Sequence, residues 1–386
     1  MLVERAPVHA NIPDNVLVKA TSNYITKVGY HHAFSIASSF AIMPTTSNHV
    51  AVATTSATAA LMGVIAGYYY RSRTSMNNDR ETKTTKIPKS LLQSEYQEEL
   101  KLAVHLAMQA GLNMIDYMEA KGTEKEHQIE LVIETKSHYT DFCTNIDIEN
   151  EALIMKGIHT KFPHHAIIGE ENVGTGIIPP LDVNTPTWII DPIDGTTNFS
   201  SGLESLTCVS IGYCIQGRPV LGVIYAPATN ELYVGVKGFG AYRNGKRIYQ
   251  NPTKSTKCVK DAIICNEMGS TRNEKDLTLL FSAQQKLMLK GCKGFRQLGS
   301  GCLDLCFVAS GRLDAVYAGV CEEGWKPWDY CAGSIIIQEA GCCMETIEQS
   351  ESEKNNNNGA FDLYGKSVIC AVSKELLDDV RSVITS

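Results

Sequence analysis

Trp188-Ile189-Ile190-Asp191-Pro192-Ile193-Asp194-Gly195-Thr196-Thr197-Asn198-Phe199 decides how this chain is read. Trp188, Ile189 and Ile190 are apolar and β-favouring, and the acid, proline and glycine that follow mark a strand ending where polar chemistry begins. Pro192 fixes its own φ and has no N–H, so the bend between Asp191 and Asp194 is stiff and both carboxylates can be held toward one point. Gly195 permits close backbone approach, and Thr196-Thr197-Asn198 suits the opening of a helix whose free N–H groups would hold a phosphate. Hard oxygen ligands beside an anion cradle suit Mg²⁺. Taken alone, the two acids also read as a polar turn held by Asx-type hydrogen bonds.

Two further acidic elements extend the pattern. Ala166-Ile167-Ile168-Gly169-Glu170-Glu171 repeats apolar strand, glycine and acid, which places Glu170 at a second strand end. Pro327-Trp328-Asp329 precedes Tyr330-Cys331-Ala332-Gly333-Ser334-Ile335-Ile336-Ile337, an apolar helix with small residues for tight packing. Asp329 falls at its N-terminal end, where a carboxylate serves either as a cap or as a ligand.

Together these segments resemble the inositol monophosphatase family, within the larger group of magnesium-dependent, lithium-sensitive phosphatases. The resemblance rests on Gly169-Glu170-Glu171, on Trp188 through Phe199, and on Trp328-Asp329-Tyr330-Cys331-Ala332-Gly333 with Glu339-Ala340-Gly341, and runs from Ser94 to the C-terminus. It implies a layered αβαβα sandwich of mixed α+β and α/β character, Mg²⁺ as cofactor and a cytoplasmic homodimer. Transferred by position, Glu170, Asp191 and the Ile193 carbonyl hold one metal, and Asp191, Asp194 and Asp329 a second. Thr196 with Asp147, in Asp141-Phe142-Cys143-Thr144-Asn145-Ile146-Asp147, orients and deprotonates the attacking water, with Glu170 the third catalytic residue. The N–H groups of Gly195 and Thr196 grip the phosphate. Asp194, Gly299, Ser300 and Glu322 face the polyol. A few more residues than the family's spacing separate Tyr317 from Trp328, which leaves Glu323 as a rival to Glu322. Gly301 stands where alanine is usual, and Cys342 where a second glycine commonly follows Gly341.

The implied reaction is hydrolysis of inositol monophosphate, a small polyol phosphate, with sugar-phosphate or nucleotide-bisphosphate phosphatase as a rival within the class. A catalytically idle binding protein retaining the fold is the rival from another class. All ten histidines lie at or before His165, so the half holding the core motifs offers none for a Ser/His/Asp triad or a phosphohistidine. A net charge of −7 gives no reason to expect nucleic acid, whose binders usually show a basic face. Thirteen cysteines, an odd number without a CxxC pair, read as reduced thiols.

Three regions are expected: an N-terminal extension over 1–90, an α+β half over 91–251 and an α/β half over 252–386. No Asp, Glu, Lys or Arg occurs from Val28 to Tyr70, and 50–70 is long enough to span a bilayer. Its threonines and serine dilute the hydrophobicity, so a cytoplasm-facing membrane anchor, an organelle leader and an irregular extension all stay open. After a polar linker, Ser94-Glu95-Tyr96-Gln97 reads as a capping box opening an amphipathic helix through Met118. Ile129, Leu131 and Ile133 alternate as a strand, and 149–161 as a helix. A meander follows over 206–213, 220–225, 231–236 and 241–243, with Asn244-Gly245 a hairpin turn. Strand 262–266 then precedes helix 276–289, and 349–359 is a solvated loop.

Overall fold

Every residue of strand β4 (Thr187–Asp194) is buried, although the strand is second from one edge of the larger of two principal sheets. The computed structural model describes residues 87–124, 131–138, 141–251, 255–321, 325–348 and 361–386. The candidate span at 50–70, Glu322, Glu323 and the loop 349–359 lie outside the described residues. Among those described, no helix is long and apolar enough to cross a membrane.

The seven-stranded sheet has the order β3-β4-β5-β6-β7-β8-β9, with β3 Ala166–Gly169, β5 Cys208–Ile215, β6 Arg218–Ala226, β7 Glu231–Val236, β8 Gly240–Arg243 and β9 Lys246–Ile248. β3 pairs parallel to β4 with Gly169 opposite Ile190, so Glu170 and Asp191 leave neighbouring strand ends. From β4 onward each pair is antiparallel, as the alternating turn signals require. The β4–β5 register breaks between Asp191 and Asp194, where Pro192 has no N–H for the ladder. Asn244 and Gly245 both take positive φ, 48° and 74°, closing β8 onto β9 in a turn of the primed type.

The five-stranded sheet runs β11-β10-β12-β14-β13, with β10 Ile263–Glu267, β11 Gly294–Arg296, β12 Ala315–Ala318, β13 Cys343–Glu345 and β14 Val368–Ala371. A small hairpin joins β1 (Ile133–His138) to β2 (Asp141–Thr144). The helices are α1 Gln97–Ala120, α2 Asn145–Lys161, α3 Glu170–Val173, α4 Thr196–Ser201, α5 Glu274–Leu289, α6 Gly301–Ala309, α7 Pro327–Glu339 and α8 Lys374–Ile384. Helices α1 and α2 cover one face of the large sheet, α6 and α7 lie between the sheets, and α5 packs on α8, which backs β14. The result is the layered αβαβα sandwich.

One apolar cluster fills the space under α1 and α2 and a second joins the two sheets through α6 and α7. Leu100, Ala103, Val104, Ala107, Ala110, Met114 and Tyr117 bury the stripe of α1 that the periodicity anticipates. A row of glycines lets α7 lie close to the sheet. Gly212, Gly222 and Gly235 stand side by side on β5, β6 and β7. A Cβ would come within 2.3 Å of Cys331 Sγ at Gly212, 2.2 Å of Ala332 O at Gly222 and 2.8 Å of Ile336 Cα at Gly235.

Some expectations are corrected. Ser94 caps nothing: its hydroxyl donates to Leu91 O at 2.8 Å, closing a 3-10 turn, and α1 starts after Tyr96 without a side-chain cap. The capping box forms instead at Thr144 and Asp147, so α2 begins at Asn145 and not at 149. Among the described residues, β1 starts at Ile133, where pairing with Thr144 begins, so Leu131 lies ahead of the strand; Ile129 is outside the described residues. The thirteen cysteines, by contrast, are free thiols as expected.

Candidate active site

Asp191, Asp194 and Asp329 each place a carboxylate oxygen within 4.8 Å of the others, although Asp329 is more than 130 residues away in sequence. Asp191 and Asp194 end β4, and Asp329 enters from the first turn of α7. Asp329 also caps its own helix, its Oδ2 accepting from Lys326 N at 2.6 Å. Pro327 in that first turn gives up no bond, because the leading N–H groups of a helix lack intrahelical partners.

Burial pushes all three acids above their usual range; Glu170 and Asp194 add to the effect on Asp191, and Asp194 to that on Asp329. Hydrogen bonds from Ser300 Oγ and Cys302 N, the latter at 2.8 Å to Oδ2, offset part of it at Asp194. Buried carboxylates this crowded stay ionised only beside a cation, and an all-oxygen donor set matches a hard divalent one.

Asp147 and Thr196 meet beside this cluster. Thr144 N donates to Asp147 Oδ2 at 2.9 Å, and the Thr144 hydroxyl donates to the same oxygen. Oδ1 is thereby left for Thr196, whose hydroxyl lies 3.3 Å from it and 3.0 Å from the Ile193 carbonyl. With one proton, that hydroxyl donates to one acceptor at a time. Burial, opposed by the Thr144 hydrogen bond, pushes Asp147 up to about 7. Gly195 precedes Thr196 at φ 87°, and a Cβ there would lie 2.7 Å from Leu206 O, so glycine is required on both counts.

Glu170 opens α3 and is held differently from the three aspartates. Lys136 Nζ lies 2.8 Å from Glu170 Oε1 and 2.8 Å from Glu171 Oε1. Burial alone would lower the Lys136 pKa, but the two acids hold its ammonium above the ordinary value. Glu170 itself is raised by burial, an effect the lysine opposes. Glu151 of α2 accepts from Glu171 N at 2.8 Å and Asn172 N at 2.6 Å, fixing the short helix that carries Glu170. Neither Lys136 nor Glu151 was singled out in the sequence. A lysine in an alternating strand and a glutamate in a polar helix look like surface residues until the fold buries them.

Ser300 lies against Asp194, to which its hydroxyl donates. Gly299 is left-handed at φ 75°, and Asn198 Nδ2 donates to Leu298 O at 2.7 Å and Gly299 O at 3.2 Å. Asn198, quoted in the opening motif without a role, is the clamp between that motif and the turn. Gly301 begins α6, where a Cβ would meet the Trp325 ring at 2.8 Å.

Fold and site together define a phosphatase: a layered sandwich with buried carboxylates at the sheet end beside a helix-opening turn. A model of the inositol monophosphatase family matches residues 95–384. Inositol monophosphatase 1 of Sus scrofa is 34% identical over 289 residues, covering 75% of this chain and 95% of that protein. The crystal structure of extragenic suppressor protein suhB from Bartonella henselae superposes with TM-score 0.61 at 25% identity, covering 75% of this chain and 99% of that one. An IMPase/NADP phosphatase solved with NADP and Ca²⁺ gives TM-score 0.59 at 25% identity, covering 75% and 96%. The chain belongs to the inositol monophosphatase family. It is a phosphoric monoester hydrolase of a metal-dependent family, and the reading as an idle binding fold is set aside.

Proposed function

We propose that this chain hydrolyses inositol monophosphate to inositol and phosphate with Mg²⁺ as cofactor. The supporting observation is the approach of Asp191, Asp194 and Asp329 to within 4.8 Å beside the Asp147–Thr196 pair. Glu170, Asp191 and the Ile193 carbonyl are the ligands for one ion, and Asp191, Asp194 and Asp329 for a second. When bound, such ions supply acidity to water and charge stabilisation to the leaving oxygen. Thr196, backed by Asp147, orients the water through its hydroxyl, and Asp147 takes the proton that moves along this pair. The N–H groups of Gly195 and Thr196 hold the phosphate. Asp194, Gly299 and Ser300 face the polyol, with Glu322 or Glu323 completing that side.

A second reading, cleavage of a phosphate from a nucleotide such as NADP, is favoured by the likeness to the IMPase/NADP phosphatase. We carry forward a cytoplasmic homodimer, inhibition by lithium, and the division at residues 90 and 251. Full-length protein incubated with inositol 1-phosphate and Mg²⁺, against a panel with NADP and fructose 1,6-bisphosphate, decides between substrates. Release of phosphate fastest from inositol 1-phosphate supports the first reading, and a preference for NADP replaces it with the second.

A further inference from the structure

Beneath the Leu298–Ser300 turn lies a buried group outside the site described above. Cys265 and Glu267 of β10 and Asp304 of α6 bring one donor atom each within 4.8 Å of one another. Asp304 is fully buried, and its Oδ2 accepts no hydrogen bond. A carboxylate with an orphaned oxygen in the interior is costly. Glu267, which brings a carboxylate oxygen within 4.8 Å of an Asp304 oxygen, accepts at Oε1 from Leu298 N at 2.9 Å and Gly299 N at 2.8 Å. Asn198 takes the carbonyls of the same two residues, so the turn is held from both sides. The next residue, Ser300, donates to Asp194.

Two species can reconcile the acids: a cation or a proton. The cation fits poorly. Glu267 Oε1 is already committed to two N–H donors, which would repel a positive ion at that oxygen. Cys265 would have to ionise, yet burial and then Asp304 and Glu267 push its thiol far up, and its Sγ lies 3.5 Å from Asp304 Oδ1 and 3.8 Å from Glu267 Oε1, an acceptor within reach on either side. Burial, and then the Glu267 carboxylate, likewise drive the Asp304 carboxyl well above the usual range.

We propose that Asp304 is a neutral carboxylic acid donating a hydrogen bond to Glu267, and that this pair is a positioning element for the Leu298–Ser300 turn and thus for Asp194. The kinetic part rests on the reading of the site as an inositol phosphatase. The proton stays on Asp304 throughout, and no bond in the substrate depends on its transfer. The amide of Asp304→Asn can make the same donation, whereas Asp304→Leu cannot.

The test uses the full-length protein and two readouts. Infrared difference spectra at neutral pH should show a protonated carboxyl C=O band in the wild type that is absent from Asp304→Asn. With inositol 1-phosphate, Asp304→Asn should stay within about threefold of wild type, while Asp304→Leu should raise KM about tenfold with a smaller effect on kcat, the scale of one positioning hydrogen bond. Should Asp304→Leu not fold, Glu267→Gln, which weakens the hold on both N–H groups, should give the same KM rise. Absence of the carboxyl band, equal damage by the Asn and Leu variants, or a bound metal ion lost specifically in Asp304→Asn would overturn the proposal. If the wild type leaves inositol 1-phosphate uncleaved, the substrate reading fails, and the infrared band still decides the state of Asp304.

Discussion

The hydroxyl of Thr196 lies 3.3 Å from Asp147 Oδ1, linking the first turn of α4 to the first turn of α2. Asp147 thus has two partners: one oxygen completes the capping box with Thr144, and the other meets the Thr196 hydroxyl. Asn at this position keeps an acceptor for Thr144 N and removes the base. Asp147→Asn should lower kcat by about 10²–10³ while costing at most about 1 kcal/mol of stability. Steady-state kinetics and urea unfolding check the two halves separately, and an active Asp147→Asn enzyme would remove Asp147 as the base.

The same residue sets a pH dependence. Asp147, pushed up to about 7, accepts a proton only when ionised. The acid limb of the kcat profile should therefore fall below pH of about 7, and Asp147→Asn should flatten it. A profile with the limb unchanged in the variant would assign it elsewhere.

Metal-free protein should lose stability as pH rises. Asp191, Asp194, Asp329 and Glu170 all have folded-state pKa values above the ordinary carboxylate range, so the native state binds more protons than the unfolded chain between the two values. Unfolding free energy then decreases with pH from about 4 upward through the raised values. In thermal melts, the chelated protein should have a lower Tm at pH 7.5 than at pH 5, and Mg²⁺ should raise Tm more at the higher pH. A pH-independent Mg²⁺ effect would contradict the carboxylate account.

Gly169→Ala tests how Glu170 is held. A Cβ there would sit 2.5 Å from the Glu151 carboxylate that caps α3. The substitution should cost about 1–3 kcal/mol and raise the Mg²⁺ concentration for half-maximal activity. Metal titration of activity at fixed substrate reads the second effect; an unchanged midpoint would separate Glu151 from the metal site.

Gly222→Ala probes the seating of Asp329. The added carbon would meet Ala332 O at 2.2 Å, so α7 must shift off the sheet and carry Asp329 with it. Stability should fall by at least about 2 kcal/mol and metal affinity should fall with it. Chemical denaturation and Mg²⁺ titration of the same preparation measure both; loss of stability with unaltered metal affinity would show that the sheet face does not position Asp329.

The chain by itself determined where the acids and the turns beside them sit along the polypeptide. Strand, acid, Pro192, acid and Gly195 are constraints on φ, on N–H donors and on charge, all local, and local constraints can be read from neighbours in sequence. The strand ends carrying Glu170 and Asp191, the Asn244-Gly245 hairpin and the helix after Asp329 were legible for that reason. Tertiary structure decided what those residues meet. Lys136 against Glu170 and Glu171, Glu151 under α3, Asn198 across the Leu298–Gly299 turn and Asp304 against Glu267 join residues tens to about a hundred positions apart. Their polar side chains look solvent-facing in sequence, and only burial, which removes water as the competing partner, turns them into determinants of the site.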